Sequence, residues 1–391
     1  MYIKKLSLNN FRNIKSLSIA PGKHLNFITG HNGSGKTSIL EAIFVLSNLK
    51  SFKVNSLNSI MQNDQEPTTI YAKVEDEFEN LNDLGLKITS KQKELYLNGE
   101  VAKKGIASLA ELLAIQVISP DVLQLLTEGP EFRRRFLYWG VYYTYPSFIK
   151  DWRKFNEAHK SKNALLKQAQ AYEQNNRPIP EELLNQCKVW GKVLAQAAKT
   201  IDALNREYME NLLPELNAVL QDFLPELKIE IKYYSGWPQD VDLEEYYQQN
   251  LQHEIEAGRV SSGLHRADLR IKCFGENVSN TLSRGQLKLL ACAMKIAQGD
   301  LLRKQRQNKC IYLVDDLAAE LDEGKQLIFA SKLIKDNNQI FMTYIDNRVL
   351  NIFNNLVSQW HEFSLQKGKI IHQYVNGEEI TSQEFSLDDY I

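Results

Sequence analysis

No apolar run in this 391-residue chain approaches the ~20 residues that a helix needs to span a bilayer. The opening stretch, "MYIKKLSLNNFRNIKSLSI", alternates apolar and polar residues and lacks the continuous apolar core of a signal peptide. Cysteine is scarce. Cys187, Cys273, Cys292 and Cys310 are widely spaced and form no C-x-x-C pair, which excludes a disulfide framework or a thiolate metal cluster and predicts reduced thiols. Together these absences point to a protein of the cytoplasm that makes no membrane contact. Excess charge is missing too: the net charge is −1, so the chain is not a uniformly basic nucleic-acid binder.

The charge that is present is unevenly placed. Residues 1–53 carry eight basic residues against Glu41 alone, a net of +7. Residues 128–172 carry nine basic against four acidic, a net of +5. Such stretches are either solvated faces or surfaces for a polyanion. Glycine is nearly absent from residues 130–222, where only Gly140 and Gly191 occur. That region is rich in Leu, Ala, Gln, Lys and Glu, and the breaker "NNRPIP" (175–180) divides it into two long helical patterns.

Strand patterns lie on both sides of this helical middle. Residues 2–8 and 13–19 alternate at period two, and "HLNFITG" (24–30) reads as a buried strand ending in glycine. "TTIYAKVEDEF" and the hairpin "GLKITSKQKELYLNGEV", turning near Lys91-Gln92-Lys93, follow. Strand signals return at 227–234, 269–274, 309–317, 338–345 and 361–374, with a helix near 323–335. The two ends of the chain are therefore expected to build one α/β domain with a helical insertion. The expected bounds are 1–128 and 259–391 for the α/β head and 129–258 for the insertion.

"GHNGSGKT", Gly30 to Thr37, fits G-x-x-x-x-G-K-[ST] between a predicted strand and a predicted helix. Glycines 30, 33 and 35 let backbone N–H groups face phosphates at a helix N-terminus. Across Gly30, His31, Asn32, Gly33, Ser34, Gly35, Lys36, Thr37 and Ser38, the expected ligand is ATP. Lys36 would reach the terminal phosphates and the Thr37 hydroxyl would hold Mg²⁺. "IYLVDDLAAELD" (311–322) places Asp315 and Asp316 after an apolar strand, where open α/β sheets bind ligands. Asp315 is the expected metal carboxylate, and Asp316 the residue that orients the attacking water. "LSRGQ" (282–286) starts an amphipathic helix, and Ser283, Gly285 and Gln286 are placed to close the open side of the terminal phosphate. The order of these motifs resembles the ATP-binding-cassette arrangement, in which the signature serine serves the nucleotide of a second subunit.

The chain resembles the RecF family of SMC-like ATPases along nearly its whole length. The segments that carry the likeness are "LSLNNFRN", "GHNGSGKTSILEAI", "SFK", "SPDVLQLLTEGPEFRRRFLY", "KNALLK", "SGLHRADL", "LSRGQLKLL" and "VDDLAAELD". The resemblance implies an α/β fold: an ABC-type, SMC-like P-loop ATPase head with an inserted, mainly helical arm. It implies an ATP-dependent homodimer, slow hydrolysis, and binding to gapped or ds/ss junction DNA. It also implies RecR and RecO as partners in loading the RecA recombinase. Arg12 resembles an arginine that reaches nucleotide in SMC heads, with a structural ion pair as the alternative. Arg133, Arg134, Arg135 and Lys53 are candidates for DNA contact, with helix bracing as the alternative for the arginines.

The chain departs from the family pattern at Leu264 and Ala267, within Gly263-Leu264-His265-Arg266-Ala267-Asp268, and at Lys53, where the family has arginine. Thr343 stands where transporter cassettes carry a switch histidine. Either Gln116 or Gln124 is the expected Mg²⁺-sensing glutamine. His265 and the aromatic residues from Phe132 to Phe155 read more readily as core than as catalytic or base-stacking groups. The rivals are poorer matches. A transporter cassette would lack the long helical insertion. An ATPase-coupled nuclease would need a C-terminal metal domain, and fewer than 70 residues follow Asp322. An inert cassette scaffold would have no need of the complete Lys36, Thr37, Asp315 and Ser283 set.

Overall fold

The computed structural model describes residues 1–62, 66–102, 112–307, 309–316, 321–335, 337–344, 352–353, 356–357 and 359–380. Residues 317–320 of the aspartate motif and 345–346 of "FMTYID" lie outside the described residues. In chain order the first strands are β1 (Tyr2–Phe11), β2 (Ile14–Ile19) and β3 (Leu25–Thr29), followed by helix α1 (Lys36–Asn48). Then come β4 (Thr68–Glu75), β5 (Leu81–Ile88), β6 (Lys93–Leu97), β7 (Glu100–Val101) and β8 (Ala114–Ile118). The helical stretch holds α2 (Gln124–Thr127), α3 (Pro130–Thr144), α4 (Phe148–Gln174) and α5 (Glu181–Phe223). Next are β9 (Ile229–Tyr234), α6 (Leu243–Gln249), α7 (Leu251–Ala257), β10 (Asp268–Cys273), β11 (Glu276–Asn277), α8 (Val278–Thr281) and α9 (Arg284–Arg306). The chain continues through β12 (Cys310–Val314), α10 (Glu323–Ile334), β13 (Gln339–Tyr344), β14 (Trp360–Gln366), β15 (Lys369–Val375) and β16 (Glu378–Glu379).

The chain divides into two compact units. The first comprises residues 1–122, 218–224 and 288–391; the second comprises 123–217 and 225–287. Set beside the expected insertion at 129–258, the second unit begins earlier and includes the "LSRGQ" turn.

Two sheets build the first unit. An antiparallel sheet runs β2-β1-β4-β5-β6-β7. The other runs β16-β15-β14-β3-β13-β12-β8, and its five strands from β14 to β8 are parallel. Every residue of β12 and β13 is buried, which explains why "CIYLV" and "QIFMTY" read as continuous runs rather than alternating ones. In the antiparallel sheet β4 alternates strictly between buried and half-buried residues, as a strand with one covered face should. Helix α1 buries Ile39, Ile43 and Leu46, the stripe expected from its period. Those residues join Leu6, Leu8, Ile70 and Val74 of the antiparallel sheet and Ile28, Leu313 and Phe341 of the parallel sheet in one apolar cluster.

The second unit is mainly helical. Helices α4 and α5 flank the "NNRPIP" breaker, as expected, and a small antiparallel sheet β11-β10-β9 completes the unit. Rings stack along α4: Phe148 on Trp152, Trp152 on Phe155 and Phe155 on His159, with interplanar angles of 22°, 23° and 10°. Phe148 and Phe155 are buried, so this aromatic run packs the interior. Lys162 and Glu254 form an ion pair at 2.6 Å with side chains 1% and 0% exposed. The Lys162 ammonium sits 3.6 Å from the Tyr247 ring centroid, which offsets part of the cost of burying it. All four cysteines are buried and free. Among the described residues no helix is long and apolar enough to cross a membrane.

Candidate functional site

Strand β3 ends at Thr29, and the chain turns through Gly30 to Gly35 into α1. Gly30 has φ +137°, and a Cβ there would lie 2.3 Å from the Leu365 carbonyl oxygen, so only glycine fits. Gly35 caps α1 at φ 112°, with no side chain bonded to the cap and no acidic residue in the first turn. The helix start therefore presents N–H groups to a loop that carries no negative charge. Lys36 is 5% exposed. Its ammonium folds back over the loop and donates to the carbonyls of Gly30 (2.7 Å) and His31 (3.3 Å). The buried Ser34 hydroxyl has no hydrogen-bond partner. A cradle with a cation, an orphaned hydroxyl and a helix N-terminus suits a polyphosphate. His31, Asn32 and Gly33 are exposed at its rim.

Two residues that sequence reasoning missed hold the loop. Asn13 donates to the Gly33 carbonyl (2.9 Å) and accepts from the Ser38 hydroxyl (3.1 Å). The Gly368 N–H, in the β14–β15 turn, donates to the Ser34 carbonyl (2.8 Å). The repeated asparagine of "NNFRN" hinted at the first; nothing local signalled the second.

The strand order β3-β13-β12 brings the loop end and the aspartates together. Thr37 donates to Asp315 Oδ1 at 3.0 Å. Thr343 lies on β13 between them, 1% exposed, and its hydroxyl donates to Asp315 Oδ1 at 2.9 Å. The same hydroxyl oxygen accepts the Asp316 N–H at 2.9 Å, and Asp316 Oδ1 lies 3.2 Å away. Asp316 adopts φ +48°, a left-handed conformation unusual for a non-glycine residue, and Thr343 holds it there. Burial pushes the Asp315 carboxyl above the usual carboxylate range; the Thr343 and Thr37 hydroxyls oppose that shift, and Lys53 does so more weakly. Among the described residues no three His, Cys, Asp or Glu side chains cluster as a metal site. The Thr37–Asp315 pair thus suits Mg²⁺ that takes its other ligands from phosphate and water.

Several predicted residues lie elsewhere. Arg12 (φ +55°) is bound by Glu41, Nε to Oε2 at 2.9 Å and Nη2 to Oε1 at 2.7 Å, and Nη1 donates to the Ser59 carbonyl. In this structure its guanidinium is in the ion pair, not at the cradle. Gln116 is 2% exposed, and its amide is held by Gln298 (3.0 Å) and Lys295 (3.1 Å). Gln124 opens α2 in the other unit.

In the second unit, Arg133 pairs with Asp268 (2.7 and 3.2 Å) and donates to the Glu128 carbonyl (2.9 Å). Arg134 donates to the Ala267 carbonyl at 2.9 Å. Both brace the 263–268 segment, where Leu264 and Ala267 are fully buried and so tolerate apolar residues. Of the three arginines, Arg135 is the exposed one, its guanidinium 5.0 Å from the Phe132 ring centroid. Lys53, in the first unit, is exposed as well.

Ser283 and Gln286 satisfy each other across the start of α9. The Ser283 N–H donates to Gln286 Oε1 (2.9 Å) and the Gln286 N–H donates to Ser283 Oγ (3.3 Å). This reciprocal cap is legible in the S-x-x-Q pattern, which sequence reasoning passed over. Ser283 remains exposed and Gly285 partly so. Because Oγ accepts in this cap, the hydroxyl hydrogen is left for another acceptor.

Residues 2–365 match the family model described as RecF/RecN/SMC N terminal domain. The DNA replication and repair protein RecF of Actinobacillus pleuropneumoniae is 38% identical over 377 residues, 95% of this chain and 99% of that one. Among solved structures, that of the recombination mediator protein RecF-ATPrS in the RecFOR pathway aligns with a TM-score of 0.81 at 22% identity, covering 94% of this chain and 97% of the other. The SmcHead bound to the C-winged helix domain of ScpA aligns with a TM-score of 0.58 at 14% identity, covering 97% and 98%.

Proposed function

The chain belongs to the RecF family of DNA replication and repair proteins, with an SMC-type ATPase head, and from this we propose that it is an ATP-dependent dimerising clamp on DNA. The observation that carries the proposal is the Lys36 cradle joined to the Thr37–Asp315 pair at 3.0 Å. Lys36, the orphaned Ser34 hydroxyl and the first N–H groups of α1 hold the phosphates of ATP. Thr37 and Asp315 hold Mg²⁺, which supplies charge neutralisation on the phosphates when bound. Asp316, aimed by its left-handed backbone, orients the attacking water. Ser283 of the partner subunit donates its uncommitted hydroxyl hydrogen to the far side of the phosphate, with Gly285 and Gln286 of the partner subunit shaping the approach.

Closure on two nucleotides makes the dimer the DNA-binding form, and slow hydrolysis releases it in the cytoplasm. Gapped or ds/ss junction DNA is the proposed substrate, with RecR and RecO as partners and RecA as the recombinase loaded in consequence. The helical insertion serves as the arm. Exposed cations such as Arg135 and Lys53 are better DNA contacts than Arg133 and Arg134, whose donors are engaged.

A mixing experiment tests this reading. Lys36→Met should lose tight ATP binding. Ser283→Arg should bind ATP but form no ATP-induced dimer by light scattering. Mixed together, the two should recover part of the hydrolysis, because one composite site is intact. Normal dimerisation and turnover by Ser283→Arg alone would reduce "LSRGQ" to a helix cap.

A further inference from the structure

Glu41 lies on α1 four residues after Thr37, hence on the same face one turn further along. It is 1% exposed, and a carboxylate so deeply buried must be matched by donors. Three donors converge on it. Arg12 supplies two, and the Ser51 hydroxyl supplies the third at 2.5 Å. The Ser51 oxygen in turn accepts the N–H groups of Lys53 (2.8 Å) and Val54 (3.0 Å). On the other side, the Arg12 N–H donates to the Ile60 carbonyl (2.7 Å) and its guanidinium to the Ser59 carbonyl (3.0 Å). The β1–β2 turn, α1, the 51–54 loop and the short 57–60 helix thus all meet at one carboxylate.

We infer that Glu41 is a positioning residue for the proposed hydrolysis: through Ser51 it fixes the 51–54 loop, and so aims Lys53 at the Thr37–Asp315 pair. The inference rests on the ATPase reading above. Phe52 anchors the loop from below, its ring 5.5 Å from Phe44 of α1 at 80°. Lys53 itself is exposed, so nothing on its own side chain holds it. The Lys53 ammonium is nonetheless close enough to oppose the upward shift of the Asp315 carboxyl. An exposed lysine acts as a defined charge only if its backbone is fixed, and the Ser51 turn supplies that constraint. Arg12, on this view, contributes by neutralising Glu41 and not by touching nucleotide.

The test uses the full chain with Mg-ATP, measuring binding with a fluorescent ATP analogue and turnover by phosphate release. Ser51→Ala removes the loop tie and leaves the Arg12–Glu41 pair intact. It should lower kcat about ten-fold with KM changed less than about three-fold. Lys53→Ala should do the same, and the double variant should be no slower than Lys53→Ala, because both remove one function. Ser51→Thr, which keeps the hydroxyl, should restore turnover. Glu41→Gln should match Ser51→Ala if its melting curve shows a folded protein; the Ser51 variants decide the matter if it does not. Parent-like turnover in Ser51→Ala or Lys53→Ala, or losses that multiply in the double variant, would overturn the inference. A parent chain that neither binds nor hydrolyses Mg-ATP would instead overturn the ATPase reading.

Discussion

Thr343→Val is the substitution that most directly probes how the site is assembled. Valine keeps the branched shape in a position 1% exposed, so packing is largely preserved and the hydroxyl alone is lost. That hydroxyl has one hydrogen, which goes to Asp315 at 2.9 Å, and it accepts the Asp316 N–H at 2.9 Å. A hydrogen bond to a charged group contributes about 1.5–3 kcal/mol, and an N–H left unpaired costs about 1–3 kcal/mol. Some of that cost overlaps, because Asp315 retains the Thr37 hydroxyl at 3.0 Å. A stability loss of about 2–4 kcal/mol is therefore expected. The left-handed backbone of Asp316 at φ +48° carries strain of about 1–2 kcal/mol and would relax once its N–H is released. The Asp316 carboxylate would then no longer be aimed. Turnover should fall about ten- to a hundred-fold, equivalent to ~1.4–2.7 kcal/mol of barrier. Nucleotide affinity should change less than about three-fold, since the Lys36 contacts do not involve Thr343. Thr343→Ser, which restores the hydroxyl, should recover most of the turnover. Phosphate release at saturating Mg-ATP, nucleotide titration and urea unfolding together decide the case. A Thr343→Val protein with turnover within two-fold of the parent would refute the claim that this hydroxyl organises the two aspartates.

Two further predictions concern the second unit. Arg133→Ala leaves Asp268 and the Glu128 carbonyl without their donor and should cost about 1–3 kcal/mol in urea unfolding. Arg135→Ala should leave stability unchanged; if it contacts duplex DNA, it should lower the log–log salt slope of binding by ~0.9, and an unchanged slope would remove it from the interface. His265 has a buried, unpartnered Nδ1 and stacks 4.7 Å from His159, and burial lowers its pKa to about 4. The unfolded chain, near the ordinary value of about 6.5, takes up the proton first. Stability should therefore decline as pH falls from about 6.5 to 4. His265→Gln should flatten that decline in urea melts run at successive pH values, and an unaltered pH slope would show that the histidine is not the sensor.

What the sequence determined by itself is what local pattern can encode. "GHNGSGKT" was legible because three glycines between a buried strand and an amphipathic helix leave few other conformations open. The helical hairpin was legible because α4 and α5 sustain their period on either side of a proline-containing breaker. β12 and β13 were legible because strands covered on both faces must be apolar throughout. Tertiary structure alone decided which side chains meet. Thr343 reaches both aspartates only because β13 pairs between β3 and β12, with Met342 opposite both Val314 and Phe27. The Arg12–Glu41 pair spans 29 positions and Arg133–Asp268 spans 135. No periodicity records such partnerships. An arginine's sequence neighbourhood reports its charge but not which buried carboxylate the fold brings within reach. That choice was made by sheet order and by the need to pair every charge that folding removes from water.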